Sequence, residues 1–285
     1  MFRAVAAIAA VVVAVSAVAA GWTPPALSNV IATSSPAPGA SPTGAVAVIP
    51  TATPAPTDPP PSPDPTPGPD GCIPPPADLQ PATVVSHGPR TEKVVALTFD
   101  DGNNEANVRK ILGILNGHHV NATFFPTARA VELAPETWRR VAAAGFPIAN
   151  HTYHHISLKG LCYEKQLAEL DRARTVFAEQ PLPLQGLMRP PYEDFDMSTR
   201  LAASSAGEDY VVLWDVDTND WTAVGPLTIA ARALSGRAGS IILMHTTRPA
   251  SASALYRIVS RFRQRGFRFV TVGQLLGIPG PVPFP

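Results

Sequence analysis

An α/β fold of parallel strands is what this 285-residue chain predicts for its second two-thirds. Three observations carry that expectation. From residue 93 onward, short apolar runs rich in β-formers alternate with segments of helical spacing, the pattern of βαβ units rather than of a sandwich. About seven such units fill residues 91–278, which points to a distorted barrel, with an open doubly wound sheet as the alternative. Acids, histidines and an arginine follow the ends of the apolar runs, where both architectures gather their chemistry.

Each element has a local reason. Residues 93–98 are a β-rich apolar run that ends on β-branched Thr98, so they read as a strand. Val108, Ile111, Leu112 and Leu115 recur at helical spacing over 104–115. Residues 122–125 read as a strand, 132–144 as a helix stopped by Gly145, and 146–149 as a short strand leading into His151. A charged amphipathic helix is expected over 164–177, a short strand over 187–189 stopped by Pro190-Pro191, and a helix over 198–206 ending at Gly207. Residues 210–216 read as one buried strand. A helix over 227–234, a strand over 240–244, a helix over 252–265 before Gly266 and a last strand over 267–272 complete the series.

The first ninety residues are different. Of 33 prolines, 20 lie between Trp22 and Arg90, and the only charges before Arg90 in that stretch are Asp58, Asp64, Asp70 and Asp78. Such a segment cannot bury enough apolar surface to offset its ordering entropy, so 21–90 reads as a disordered Pro/Ala/Thr linker. Fully stretched at about 3.1 Å per residue it would reach about 200 Å. Met1-Phe2-Arg3, an apolar run and Ala17-Val18-Ala19 read as a signal peptide over 1–20, with an uncleaved membrane anchor as the alternative. Either places the domain outside the cytoplasm. All but Arg3 of the 22 basic groups and all but the four linker aspartates of the 22 acidic ones lie in 90–285, a net charge of about +3. That is too little to argue for nucleic acid as a partner. Two cysteines, Cys72 and Cys162, favour a disulfide in an oxidising compartment; two free thiols, or Cys162 as a metal ligand, are the alternatives.

Thr98-Phe99-Asp100-Asp101-Gly102 and His151-Thr152-Tyr153-His154-His155 carry the chemistry. One carboxylate and two neutral imidazoles suffice for a three-ligand zinc-type site that leaves a position open, and the second carboxylate is then free to act as a base. Adjacent aspartates in an extended segment point apart, and histidines four apart share one face of a helical turn, which Asn150 would cap. His151 with His154 is also compatible with a turn. Arg189, in a proline-stiffened turn, suits a bidentate hold on a carboxylate. Asp217-Thr218-Asn219-Asp220-Trp221 puts acids beside an indole that can cover a sugar face, and His245 ends an apolar run where an imidazole can serve as a general acid. His87, His118 and His119 read as structural.

These segments, together with Arg189-Pro190-Pro191-Tyr192, Leu243-Met244-His245 and Asn121-Ala122-Thr123-Phe124-Phe125, resemble the polysaccharide deacetylases of carbohydrate esterase family four, over about residues 91–276. The resemblance implies a distorted (β/α) barrel and a divalent metal, zinc before Co2+ or Ni2+, held by Asp101, His151 and His155. It implies Asp100 as general base, Arg189 as its orienting partner, and His245 as general acid tuned by Asp220. It further implies that the Tyr192 backbone N–H stabilises the oxyanion, Trp221 walls the sugar groove and Leu243 lines the acetyl pocket. Departures fall at Asn103, Ile156, Glu193 and Thr246, where many members carry proline, proline, glycine and an acid. The expected activity is removal of N-acetyl groups from a GlcNAc-containing polysaccharide, peptidoglycan or chitin-like, by a secreted monomer. Removal of O-acetyl groups from xylan and a catalytically silent carbohydrate-binding module are the alternatives.

Overall fold

The computed structural model describes residues 71–281, 283 and 284. The leader and residues 21–70 of the proline-rich stretch lie outside them. Strands β1 (Thr83–Val85), β2 (Val94–Asp101), β3 (Ala122–Pro126), β4 (Ile148–Asn150), β5 (Leu184–Met188), β6 (Tyr210–Val212), β7 (Val216–Asp217), β8 (Ser240–His245) and β9 (Arg268–Phe269) form one sheet. They alternate with helices α1 (Glu105–Gly117), α2 (Ala128–Leu133), α3 (Pro135–Ala143), α4 (Tyr163–Glu179), α5 (Met197–Ser205), α6 (Pro226–Ala233), α7 (Pro249–Gln264) and α8 (Val272–Leu276).

Every ladder between these strands is parallel. The order is β1-β6-β5-β4-β3-β2-β8-β7, with β9 also paired to β2. β1 and β7 end the hydrogen-bonded path, so the barrel is distorted and interrupted there. Residues 213–215 carry the chain across that gap. This corrects the single strand expected over 210–216: Val212 belongs to the β1 side and Val216 to the β8 side. The break has visible partners, since Leu213 N–H donates to Val85 at 2.7 Å and the Asp215 carboxylate accepts from Arg90 and from the Ile241 N–H.

β2 shows how the sequence positions the site. Val95, Leu97 and Phe99 pack into the cluster shared with α1 and α7, whereas Val94 and Ala96 belong to the opposite cluster. Thr98 and Asp100 follow Val94 and Ala96 in the same alternation and are buried. Arg189, immediately after β5, is fully buried and meets both of them.

Three other expectations are corrected by local chemistry. The helix expected over 132–144 is two helices, α2 and α3, because Pro135 has no N–H to continue the first and sits well at the start of the second. The strand expected over 267–272 is short, because Thr271 and Gln274 form a reciprocal capping box that starts α8. The helical turn expected over 151–155 is absent; Thr152 and His155 adopt left-handed φ of 63° and 62° instead.

Cys72 and Cys162 are disulfide-bonded, which ties residue 72 to the start of α4. Among the described residues no helix is long and apolar enough to cross a membrane.

Candidate active site

Asp100, Asp101, His151, Arg189, Trp221, Leu243 and His245 come from the carboxyl ends of five strands or the turns just after them. A cavity of about 480 Å³ is lined by Asp100, Asp101, His151, His155, Tyr192, Glu193, Trp221, Leu243 and His245, among others.

Asp101, His151 and His155 each offer a ligand atom, and these atoms all lie within 4.8 Å of one another. His155 Nε2 is 3.3 Å from Asp101 Oδ1, and His151 Nε2 is 3.8 Å from it. The two aspartates do not simply point apart. Asp101 has φ 78°, and Asp100 Oδ2 also lies 3.9 Å from His151 Nε2. His151 Nδ1 lies 2.7 Å from the Arg189 carbonyl, which can only accept, so the ring proton sits on Nδ1 and the Nε2 lone pair faces the carboxylates. Burial, chiefly, pushes the His151 pKa below its usual 6.5, against the pull of Asp100 and Asp101. Burial alone would raise Asp101; the hydrogen bond to His155 and the positive potential of His151, His245 and His155 outweigh it and hold the carboxyl down at about 2. A neutral imidazole and a permanently ionised carboxylate are the protonation states a divalent cation requires, so the donor set fits one. His154 points elsewhere, with its Nδ1 2.9 Å from Glu169.

Asp100 is held from one side by Arg189. Arg189 Nη1 donates to Asp100 Oδ1 at 2.6 Å and to Thr98 Oγ1 at 2.9 Å. Its Nε and Nη2 donate to the Val212 and Leu213 carbonyls, and its guanidinium lies over the Phe125 ring at 4.2 Å. The contact with Asp100 is a single fork arm rather than the bidentate pair, because the other donors fill the carbonyls at the barrel gap.

On the other side, His245 Nδ1 is 2.7 Å from Asp220 Oδ1, and the His245 backbone N–H donates to Asp220 Oδ2 at 2.8 Å. The Ser251 hydroxyl donates to the same Oδ2. Burial would lower the His245 pKa, but the Asp220 hydrogen bond and the charges of Asp100, Asp220 and Asp101 raise it to about 9.

Leu243 is buried and lines the cavity, whereas Trp221 is 52% exposed and presents its indole at the mouth. Tyr192, 67% exposed, has φ 61°, and its hydroxyl lies 3.1 Å from His155 Nδ1, a contact the sequence reading did not foresee. Also unforeseen is the turn after His245. Thr246 Oγ1 donates to the Asp100 carbonyl and accepts from Gly102 N–H, while Thr247 Oγ1 donates to Asp101 Oδ2 at 3.2 Å. Two hydroxyls following a strand-end histidine were the available signal.

The family model for polysaccharide deacetylases matches residues 87–211. A peptidoglycan-N-acetylglucosamine deacetylase of Bacillus cereus is 33% identical over 190 residues, covering 65% of this chain and 69% of that protein. The peptidoglycan-N-acetylmuramic acid deacetylase PdaC of Bacillus subtilis is 34% identical over 65% of this chain, and the match spans only 39% of that longer protein. A crystal structure of the Bc1960 peptidoglycan N-acetylglucosamine deacetylase, with 4-naphthalen-1-yl-N-oxidanyl-benzamide bound, superposes with a TM-score of 0.66 at 30% identity, covering 70% of this chain and 95% of that one. The chain belongs to the polysaccharide deacetylase family.

Proposed function

We propose that the protein is a secreted, metal-dependent N-deacetylase of GlcNAc-containing polysaccharide, either peptidoglycan or a chitin-like oligosaccharide. The observation that carries this reading is the meeting, in one cavity, of the Asp101–His151–His155 ligand set, an arginine-held Asp100 and an Asp220-paired His245. Asp101 Oδ1 and the Nε2 atoms of His151 and His155 would hold the cation, with zinc the best match to two imidazoles and one carboxylate. When bound, a divalent cation supplies Lewis acidity, acidifying water and polarising the acetyl carbonyl.

The side chains supply the rest. Asp100 accepts a proton from the attacking water, and Arg189 keeps it aimed. The Tyr192 backbone N–H donates to the developing oxyanion, while Leu243 and Trp221 seat the acetyl group and the sugar face. His245, protonated through Asp220, delivers a proton to the departing nitrogen. An amine leaves poorly without that proton, and the pairing that raises His245 to about 9 keeps it available at neutral pH.

Export is supported by three things: the leader-like N-terminus, a disulfide formed within the described fold, and relatives whose names place them on peptidoglycan. Acetate release from peptidoglycan, chitooligosaccharides and acetylated xylan by the zinc-loaded protein tests the reading. Release from the first or second substrate is expected. Release from xylan alone would replace N-deacetylation with ester hydrolysis, and glycan binding with no release from any substrate would leave a binding module.

A further inference from the structure

The loop that carries His151 and His155 is held in an unfavourable backbone shape. Thr152 and His155 both sit at left-handed φ, and a β-branched residue there is a marked outlier. Such a shape persists only where neighbours over-determine it. Glu169, on α4, is buried at 7% exposure, and both its oxygens face one residue of the loop. Its Oε1 accepts from the His154 backbone N–H, and its Oε2 lies 2.9 Å from His154 Nδ1. A carboxylate only accepts here, so His154 donates twice. The same helix adds a second hold, since the Leu170 carbonyl accepts from Asn150 Nδ2 while Asn150 Oδ1 accepts from Thr152 N–H at 2.9 Å. Arg172 covers the Tyr153 ring at 3.7 Å. Thus residues 150, 153 and 154, which flank both imidazole ligands, are fastened to a single turn of one helix.

We propose that Glu169 is a positioning residue for the metal ligands: its two bonds to His154 hold the strained loop so that His151 and His155 face Asp101 before any cation arrives. This rests on the reading of Asp101, His151 and His155 as ligands. Glu169 itself touches neither ligand nor substrate. Outer partners bonded directly to metal ligands are worth about 10–100-fold in metal affinity, and Glu169 acts through the neighbouring residue, at the low end of that range.

Zinc dissociation constants, measured by chelator competition on the full chain at a temperature well below its unfolding, test the proposal. Asp101→Ala serves as the ligand control, and urea unfolding tracks stability separately. Glu169→Ala should weaken zinc binding about 10-fold while remaining folded. Glu169→Gln retains an acceptor for the backbone N–H and a donor for the ring, and should bind zinc as the natural protein does. His154→Ser, which removes the ring bond and keeps the backbone one, should fall between. Natural affinity in a folded Glu169→Ala overturns the proposal. If Glu169→Ala does not fold, unchanged affinity in His154→Ser overturns it and weakened affinity supports it. Zinc affinity that Asp101→Ala leaves unchanged defeats the ligand reading itself and takes this proposal with it.

Discussion

His151 and His245 stand on either side of the Asp100–Asp101 strand end, in one cavity, with opposite protonation. His151 Nδ1 donates to a backbone carbonyl, and burial pushes its pKa down. His245 Nδ1 meets a buried carboxylate, and its pKa rises to about 9. The residue type is the same and both rings are largely withdrawn from water. What differs is the atom behind the ring. A carbonyl fixes the tautomer and leaves a neutral lone pair for a cation, whereas a carboxylate fixes a charge and leaves a proton to give.

The strongest way to break the contrast is to remove the ring meant to be neutral. His151→Ala should abolish zinc binding and lower kcat/KM by about 10⁴-fold or more, because it withdraws the Lewis acid. Next comes the ring meant to be charged. His245→Ala should lower kcat by about 10³-fold, within the usual range for a general acid, while zinc affinity stays as it was. If both variants lost zinc equally, the two histidines would share one role and the contrast would fail.

Asp220→Asn sharpens the comparison through pH. In the metal-free natural protein, the His245 ring protons should titrate near 9 by NMR. His245 is therefore raised above its unfolded value of about 6.5, so its stabilisation is complete below about 6.5 and disappears as pH rises through about 9. Without the carboxylate the pKa moves down toward 6.5, the alkaline fall of kcat/KM moves to lower pH, and activity at pH 8 drops about 10–30-fold. An alkaline limb that does not move would mean that another group carries the proton.

A buried acid whose carboxylate is poorly served bears on stability rather than on activity. Glu208 accepts from Asn150 and Arg174 through Oε1, while its buried Oε2 has no partner among the described residues. Burial, opposed by those two bonds, raises its pKa from 4.5 to about 7. A raised acid contributes its stability below about 4.5 and loses it as pH climbs through about 7. Glu208→Gln does not titrate, so relative to the natural protein it should gain at most about 3 kcal/mol between pH 4.5 and pH 8, measured by urea unfolding. An equal pH dependence in both proteins would contradict this.

Much of this was legible in the residues because strand ends are local. The apolar runs before Asp100, His151, Arg189 and His245 announce their own termination, and each side chain lies at the end of, or just after, β2, β4, β5 or β8. The Asp220–Trp221 turn was legible for the same reason, although the strand before it is two pieces on opposite sides of the barrel gap. What was not legible depends on contacts distant in sequence. The Tyr192 hydroxyl reaches His155 across 37 positions, and Thr247 reaches Asp101 across 146. The left-handed geometry of Thr152 and His155 was hidden by the residues themselves, since neither is a glycine and the i, i+4 spacing argued for a helical turn.

The central claim is that Asp101, His151 and His155 grip one cation on which deacetylation depends. Zinc titration into chelator-stripped protein, with acetate release from chitooligosaccharide or peptidoglycan followed at each addition, tests it directly. The account predicts that activity rises to a plateau at one equivalent in the natural protein and stays at background in Asp101→Ala. Full release from the stripped protein, or an unchanged plateau in Asp101→Ala, would contradict it.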